Sequence, residues 1–306
     1  MLFRSLFRLP RVSRPWRDWN FDKGGHGTVD MRKAIATSCD VYFYDMANLL
    51  GIDHIHDYLA QFGMGALTGI DIPGEKTGIL PSTQWKKAAF RNPEMKTWYP
   101  GDTISVGIGQ GYMSATPLQI AHFTATIAAR GQRFQPRLVK SIRDANTGAT
   151  RELPPVALPP AKTADPGSWD VAVSGMIDVT NAPYGTARAL SVNLPYLIAG
   201  KSGTAQVFKA AANERVRKAK ELEEHLRDHA LFVAFAPADA PMPKLALAVV
   251  VENAPGGGGA FAGPIARRIM DAYLLTPEQW AEQEAKRKPV PAPPPAPAPA
   301  TPAATE

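Results

Sequence analysis

The sequence predicts an α+β fold in which an antiparallel sheet packs against helices. Three stretches near the end of the chain have the composition of β-strands, and they follow one another at 198–208, 231–237 and 245–252. Amphipathic helical patterns come before these strands, and another helix is predicted after them. Because strands and helices do not alternate, an antiparallel sheet is favoured over parallel βαβ units.

The part of the chain before the strands is predicted to be mainly helical. Thr28 has the residue type of an N-cap, and apolar residues follow it at helical spacing until Ser38. Two more helices are predicted over 41–50 and 52–62, and a glycine follows each of them. Segment 63–100 lacks clear periodicity, so we expect a long irregular loop that forms a functional wall or lid.

The remaining predicted elements flank the strands. They are a helix from Thr116 to Gly131, a hairpin that pairs 137–142 with 149–153, a helix over 169–179, a charged helical stretch with a solvated face over 213–229, and a last helix from Pro264 to Leu275. Helices are therefore predicted both before and after the strands in the sequence.

Composition divides the chain into three parts. Of the 306 residues, 45% are hydrophobic, which is enough for a sizeable core, and we assign that core to a domain over 18–275. Residues 1–17 are predicted to be a non-native-looking or unstructured start. Their arginines among Leu and Phe mimic the beginning of a targeting peptide, but they contain no unbroken apolar segment. Residues 276–306 lead into a proline- and alanine-rich run that cannot pack a core, so they are predicted to be a disordered tail.

Charge and cysteine content exclude several classes of protein. The net charge of +6 is mild and is spread without aromatic interleaving, so nucleic-acid binding is not predicted. A polyanionic or a carboxylate-bearing substrate would be equally compatible with this charge. The only cysteine, Cys39, excludes an intrachain disulfide. No apolar run is long enough for a signal peptide core or a membrane span, so no anchor or signal is predicted in this chain.

One stretch has the composition of a carboxylate-binding strand. Lys201 would supply charge, Ser202 and Thr204 would supply hydroxyl donors, and Gly203 would leave the main chain open for an extended peptide. The alternative is an ordinary strand that begins with a solvated lysine. A similar triplet, Lys76-Thr77-Gly78, leads into no strand and is predicted to be a turn.

A serine and a carboxylate stand together at the junction of the first two helices. Ser38 and Asp40 are two residues apart, so both side chains can point into one cleft, where the hydroxyl can relay a proton and the acid can orient it or bond to a substrate amide. The alternative is an N-cap pair that begins the second helix.

Several motifs occur in the order found in one enzyme family. They are Gly24-Gly25-His26-Gly27, the run 38–44, Gly109-Gln110-Gly111-Tyr112 with 115–119, and the run 199–205. With these motifs the chain resembles the penicillin-binding protein 2 family, the class B peptidoglycan D,D-transpeptidases of cell elongation in Gram-negative bacteria. The resemblance covers 18–275 and implies a penicillin-binding, β-lactamase-like transpeptidase fold.

The resemblance implies acyl transfer on the D-Ala-D-Ala end of a stem peptide, at the periplasmic face of the inner membrane. Lys201, Ser202 and Thr204 would hold the substrate carboxylate, with the backbone N–H of Thr204 as one of two oxyanion donors. Ser38 and Asp40 would line the opposite wall. No cofactor is required; β-lactams, as substrate mimics, and cell-wall elongation proteins are the other expected partners.

The chain departs from the family pattern at two points. Asp40 stands where the family usually has asparagine, so this side chain keeps an acceptor and loses a donor. No Ser-x-x-Lys sequence occurs, so the nucleophile box is absent, and we expect an N-terminally incomplete domain that is inactive alone and binds β-lactams at most non-covalently. The strand at 245–252 would then be an open edge, which predicts aggregation or partner capture.

Two other functions remain as alternatives. One is a non-catalytic module that binds stem peptides or elongation proteins. The other, a β-lactamase or carboxypeptidase, is disfavoured because the run 24–44 resembles the elongation-type enzymes.

A metal site is predicted beside Ser38. Asp18, His26 and Cys39 carry the ligand types that zinc takes, so we hypothesise a zinc site there, although Asp22 competes with Asp18. The resemblance suggests a fourth ligand from an upstream region. The alternative is that Cys39 is a small buried residue of the core.

Overall fold

The computed structural model of the chain describes residues 2–3, 5–207 and 222–286. Its centre is an antiparallel sheet in the order β11–β10–β9, formed by β9 (Ala199–Ala205), β10 (His229–Ala236) and β11 (Leu245–Val251). Val233 in β10 lies opposite Lys201 in β9 and opposite Ala248 in β11. The predicted α+β class and the predicted antiparallel sheet are confirmed.

Alternating side chains of β10 divide the core into two layers. Ala230, Phe232 and Ala234 pack in a cluster with α9 (Gly258–Leu274). Val233 and Phe235 point the other way, towards α7 (Pro117–Ala128) and α8 (Gly167–Asn181). Among the described residues, β11 pairs with β10 alone, so its outer side is an open edge.

A second group of helices packs beside the sheet. It consists of α1 (Met31–Thr37), α2 (Asp40–Leu50), α3 (Ile52–Ala60) and α6 (Pro100–Gly107). Helix α1 contacts α8, and α2 contacts α6. The predicted N-cap of α1 is wrong: Asp30, not Thr28, accepts the hydrogen bond from the N–H of Lys33, because Thr28 lies in a short strand.

The other strands form two-stranded ladders. They are β1 (Leu2–Phe3) with β4 (Gly27–Thr28), β2 (Leu6–Phe7) with β3 (Trp16–Arg17), β5 (Arg133–Phe134) with β8 (Ala157–Leu158), and β6 (Ser141–Arg143) with β7 (Thr150–Glu152). The last of these is the predicted hairpin. The predicted helix at 213–229 falls largely on residues outside the described ranges.

Both predicted ends of the domain need correction. The start was predicted to be unstructured, but β2 pairs with β3, Leu9 is buried, and the ring of Phe7 lies 6.1 Å from that of Tyr44. The tail was predicted to begin at 276, but Pro277–Lys286 forms helix α10, because Gln283 is buried and donates a hydrogen bond to the carbonyl of Asn193. Residues 287–306 lie outside the described ranges.

Segment 63–100 is also more regular than predicted. It contains α4 (Thr83–Ala89) and α5 (Pro93–Lys96), which begin at the side-chain caps Ser82 and Asn92 and are too short to show periodicity. Helix α9 begins six residues before Pro264, at Gly258. A Cβ atom on Gly258 would lie 1.9 Å from the carbonyl oxygen of Leu231, so only glycine lets α9 approach the sheet this closely.

No helix in the described part of the chain combines the length and the apolar character that a membrane span requires.

Candidate active site

A lysine of the sheet meets a serine of the helical region at the centre of the site. The ammonium of Lys201 donates hydrogen bonds to the hydroxyl of Ser38 at 2.5 Å and to the carbonyl of Ser202 at 2.8 Å. Burial lowers the pKa of Lys201 to about 8, and the negative charge of Asp40 opposes that shift. The structure thus brings together Lys201 and Ser38, which are 163 residues apart in the sequence.

The backbone of Ser38 forms the turn that directs its side chain to the sheet. Ser38 is the C-cap of α1 and has left-handed dihedrals of φ 52° and ψ 50°. Its N–H and that of Cys39 donate to the carbonyls of Ile35 and Ala34, which closes the last turn of α1. A left-handed serine costs about 1–2 kcal/mol, so this turn is a strained feature located at the candidate site.

Asp40 lies at the first position of α2 and is engaged by the loop in front of the helix. Its carboxylate accepts a hydrogen bond from the backbone N–H of Trp19 at 2.8 Å. Burial raises the pKa of Asp40 to about 6, although this hydrogen bond opposes the shift. Asp40 therefore holds the loop through the N–H of Trp19, and its negative charge favours the protonated form of Lys201. In this arrangement no hydrogen bond is seen between Asp40 and the hydroxyl of Ser38 among the described residues.

The other strand residues face partners that sequence reasoning missed. The hydroxyl of Ser202 lies 2.9 Å from that of Thr186, and the carbonyl of Thr204 accepts a hydrogen bond from the side-chain amide of Gln110 at 2.6 Å. No sequence signal places Thr186 here, since it lies in a turn after α8 and belongs to none of the motifs above. Gln110 lies in a motif that carried the resemblance, but its sequence context gives no reason to place it against β9.

The second lysine triplet lies in an irregular segment directly after a turn at Pro73-Gly74, and not in the turn itself as predicted. Lys76 is exposed, and no strand of the described chain begins at this triplet. The carbonyl of Thr77 accepts a hydrogen bond from Gln119, which fixes this segment to α7.

The three predicted zinc ligands lie close together beneath Ser38. One ligand atom from each of Asp18, His26 and Cys39 lies within 4.8 Å of the other two. The Nδ1 atom of His26 is buried, lies 3.3 Å from Oδ1 of Asp18, and makes no hydrogen bond of suitable geometry among the described residues. Burial, together with the nearby charge of Asp18, raises the pKa of Cys39 to about 12.

These residues fit a zinc ion as three of its ligands. Zinc–ligand bonds of about 2.0–2.3 Å place tetrahedral ligand atoms about 3.3–3.8 Å apart, so three atoms within 4.8 Å of one another need only a small shift to bind one ion. The Nδ1 atom of His26 is buried and makes no hydrogen bond of suitable geometry among the described residues. Asp18 also has a structural role, because its two oxygens accept hydrogen bonds from the N–H groups of Asn20 and Val41. Each oxygen has a second lone pair, so this role and metal binding are compatible.

Comparison with known sequences gives one family over most of the chain. Residues 5–271 match the family described as penicillin binding protein transpeptidase domain. The peptidoglycan D,D-transpeptidase MrdA of Haemophilus influenzae is 43% identical over 266 residues, which are 87% of this chain and 39% of that protein. The protein of the same name from Escherichia coli K12 is 39% identical over 271 residues, which are 88% of this chain and 40% of that protein. The chain thus spans less than half the length of these relatives.

Solved structures give the same result. A crystal structure of Pseudomonas aeruginosa PBP2 in complex with WCK 5153 has a TM-score of 0.74 at 40% identity, covering 91% of this chain and 54% of that chain. A complex between PBP2 and MreC from Helicobacter pylori has a TM-score of 0.70 at 30% identity, covering 89% and 44%.

Proposed function

Because the chain belongs to the penicillin-binding protein transpeptidase family, we propose that it forms the carboxylate-binding part of an elongation-type peptidoglycan D,D-transpeptidase. The family membership confirms the resemblance predicted from the sequence. The observation that carries the proposal is the ammonium of Lys201, which donates to the hydroxyl of Ser38 and to the carbonyl of Ser202. Within the described part of the chain β9 pairs only with β10, so its other edge is open.

The proposed substrate is a peptidoglycan stem peptide that ends in D-Ala-D-Ala. Lys201, with the hydroxyls of Ser202 and Thr204, holds its terminal carboxylate through charge-assisted hydrogen bonds. The peptide lies along β9 as an added strand, and the N–H of Thr204 donates to the oxygen of the reacting carbonyl. Thr186 supports this arrangement by holding the hydroxyl of Ser202.

The complete reaction has two acyl transfers. A serine hydroxyl attacks the carbonyl of the penultimate D-alanine, the C–N bond to the last D-alanine breaks, and that D-alanine leaves with the serine proton. An amine of a neighbouring strand then attacks the ester, which transfers the acyl group to nitrogen and restores the serine. Lys201 and Ser38 contribute by fixing the substrate beside this centre.

The attacking serine is not supplied by a Ser-x-x-Lys sequence in these 306 residues. We therefore propose that this polypeptide, purified alone, binds peptides and β-lactams without forming a covalent adduct. Intact-mass measurement after incubation with a labelled penicillin is expected to show no added mass.

A second candidate function is binding of cell-wall elongation proteins. The outer edge of β11, which is open among the described residues, supports it, because an apolar strand with one unpaired edge can accept a strand from a partner. One similar structure is itself a complex of PBP2 with MreC. Since stem peptides lie outside the cytoplasmic membrane, either function places this site on its periplasmic side.

A zinc ion held by Asp18, His26 and Cys39 is proposed as a structural group. It would supply charge that holds the Cys39 thiolate and fixes the loop carrying Trp19 against Asp40. None of the substrate contacts above depends on it.

The experiment that tests the main proposal is calorimetric titration with diacetyl-L-lysyl-D-alanyl-D-alanine. The chain is expected to bind this peptide and to lose most of the affinity in Lys201→Ala. The matched control is Lys76→Ala, which changes the exposed lysine of the other triplet and is expected to bind like the unaltered chain. Equal affinities of all three proteins contradict the proposal.

A further inference from the structure

The side-chain amide of Gln110 pairs with the open edge of β9. Its nitrogen donates a hydrogen bond to the carbonyl of Thr204 at 2.6 Å, and its oxygen lies 3.4 Å from the N–H of Gln206, which donates to it. Main-chain groups of an added strand make this pair of contacts with residues two apart on its neighbour. With one side-chain amide, Gln110 therefore occupies two main-chain groups of this edge, the carbonyl of Thr204 and the N–H of Gln206, that an added strand would otherwise bind.

The loop that carries Gln110 is held firmly at the end of α6. The N–H of Gln110 donates to the carbonyl of Ser105 at 2.9 Å, and that of Gly109 donates to Val106 at 2.8 Å. Gly109 and Gly111 have φ values of 76° and 73°, which permit the tight reversal on both sides of Gln110. The backbone therefore stays in place when the side chain rotates.

An aromatic cluster fixes the other end of the loop. Tyr112 packs against Trp85, Phe90 and Trp98, with ring centroids 5.5–6.2 Å away. The buried ammonium of Lys86 lies 4.9 Å from the centre of the Tyr112 ring. Because the loop is held on both sides of Gln110, the backbone of this residue has a fixed position beside β9.

We propose that Gln110 is a gate that occupies the peptide-docking edge of β9 and is displaced when an extended peptide binds. The proposal rests on the proposed function, in which the N–H of Thr204 donates to the carbonyl of the penultimate D-alanine. In an antiparallel pair the same two residues exchange both hydrogen bonds. The N–H of that D-alanine must then donate to the carbonyl of Thr204, where the amide of Gln110 already donates.

The gate affects both affinity and selectivity. A peptide replaces one hydrogen bond by another, so part of its binding free energy goes into displacing Gln110. A ligand without an N–H at this point displaces Gln110 and leaves the carbonyl of Thr204 without a donor from the ligand, which is unfavourable. The gate therefore favours ligands that carry an amide N–H at the penultimate residue.

The test compares the affinity of diacetyl-L-lysyl-D-alanyl-D-alanine for the full chain and for two variants. Gln110→Ala removes the amide and its bulk, whereas Gln110→Met keeps the bulk without the hydrogen bonds. Both variants are expected to bind the peptide about fivefold more tightly, which corresponds to about 1 kcal/mol for one exchanged hydrogen bond. Amide hydrogen exchange at Gln206 in the free protein is expected to become faster in both.

The matched control is Gln135→Ala. The amide of Gln135 also donates to a backbone carbonyl, that of Gly69, but in a different loop, so its loss is expected to leave peptide affinity unchanged. A purely structural role for Gln110 predicts weaker binding in the variants.

The outcomes separate the gate from the proposed function. Binding by the unaltered chain, with equal or weaker binding by both Gln110 variants, overturns the gate alone. An increase in Gln110→Ala without one in Gln110→Met overturns the hydrogen-bond competition. The absence of binding by every variant overturns the gate and the proposed function together.

Discussion

The ammonium of Lys201 donates a hydrogen bond to the hydroxyl of Ser38 at 2.5 Å, across a separation of 163 residues. This contact joins the sheet to the turn between α1 and α2. A carboxylate that enters the cleft meets a cation whose position is already fixed by two hydrogen bonds.

Peptide binding is expected to fall as pH rises through about 8. Burial lowers the pKa of Lys201 from 10.5 to about 8, so the ammonium that holds the carboxylate is lost above that pH. Titration calorimetry at several pH values measures this, and Lys201→Arg is expected to remove the decline because arginine keeps its charge. Binding that stays constant to pH 10 in the unaltered chain is incompatible with this role.

The same pKa shift predicts the sign of the stability change. Because the folded-state pKa lies below 10.5, the cost of burying the ammonium is fully present below about pH 8. Lys201 therefore contributes an increase in the free energy of unfolding as pH rises from about 8 to 10.5.

The ion pair between α1 and α8 is expected to stabilise the helix that carries Ser38. Arg32 donates two hydrogen bonds, of 2.6 and 2.9 Å, to the carboxylate of Asp178. Arg32→Ala leaves that buried carboxylate short of donors, so we expect a loss of about 1–3 kcal/mol in the free energy of unfolding, measured with urea. The control Arg130→Ala breaks a pair with Asp170 that is exposed on both sides, and is expected to cost less than about 1 kcal/mol. Equal losses contradict the assignment.

Lys86 is expected to be essential to the wall that carries the Gln110 loop. Its side chain is 2% exposed, pairs with Asp102, and lies near the rings of Trp98, Tyr99 and Tyr112. Lys86→Met removes the cation that pairs with Asp102, a carboxylate that is 21% exposed and keeps the N–H of Tyr99 as a donor, so we expect a loss of about 1–3 kcal/mol in the free energy of unfolding.

Two controls separate this loss from a general effect of removing a lysine. Lys87→Met changes an exposed neighbour and is expected to be close to neutral. The double variant Lys86→Met with Asp102→Asn is expected to recover part of the stability, since the unpaired charge is gone. No recovery would mean that the ring contacts, and not the ion pair, account for the loss.

Zinc content is expected to depend on Cys39 and His26. Elemental analysis of the protein purified with zinc present should give one equivalent for the unaltered chain, and much less for Cys39→Ser and His26→Ala. His225→Ala, which changes an exposed histidine, is the control. Unchanged zinc in all four proteins excludes this site.

The sequence was most informative where function requires particular residue types. The strands, the helix before Ser38 and the lysine strand follow from hydrophobic pattern and motif, and the structure places Lys201 against Ser38. The two short capped helices in 63–100 could not be predicted, because helices of 7 and 4 residues have too few turns to show a repeating pattern of apolar residues. The ends were predicted poorly because Leu9 and Gln283 are buried by residues distant in sequence.

The side-chain contacts of Gln110 and Asp40 could not be predicted, because they depend on how distant parts of the chain pack together. The amide of Gln110 reaches β9 only because α6 ends beside that strand, which no local pattern reveals. The N–H of Trp19 donates to the carboxylate of Asp40, and this contact could not be predicted because Trp19 is exposed and has no motif of its own.

The most direct test of the carboxylate-binding role is a thermodynamic cycle measured by calorimetry. Diacetyl-L-lysyl-D-alanyl-D-alanine and its C-terminal carboxamide are each titrated into the unaltered chain and into Lys201→Ala. We predict that amidation weakens binding to the unaltered chain by about tenfold or more, as expected for a charge-assisted hydrogen bond, and has little effect on the variant. An equal effect of amidation on both proteins would contradict the account, because the carboxylate would then bind elsewhere than at Lys201.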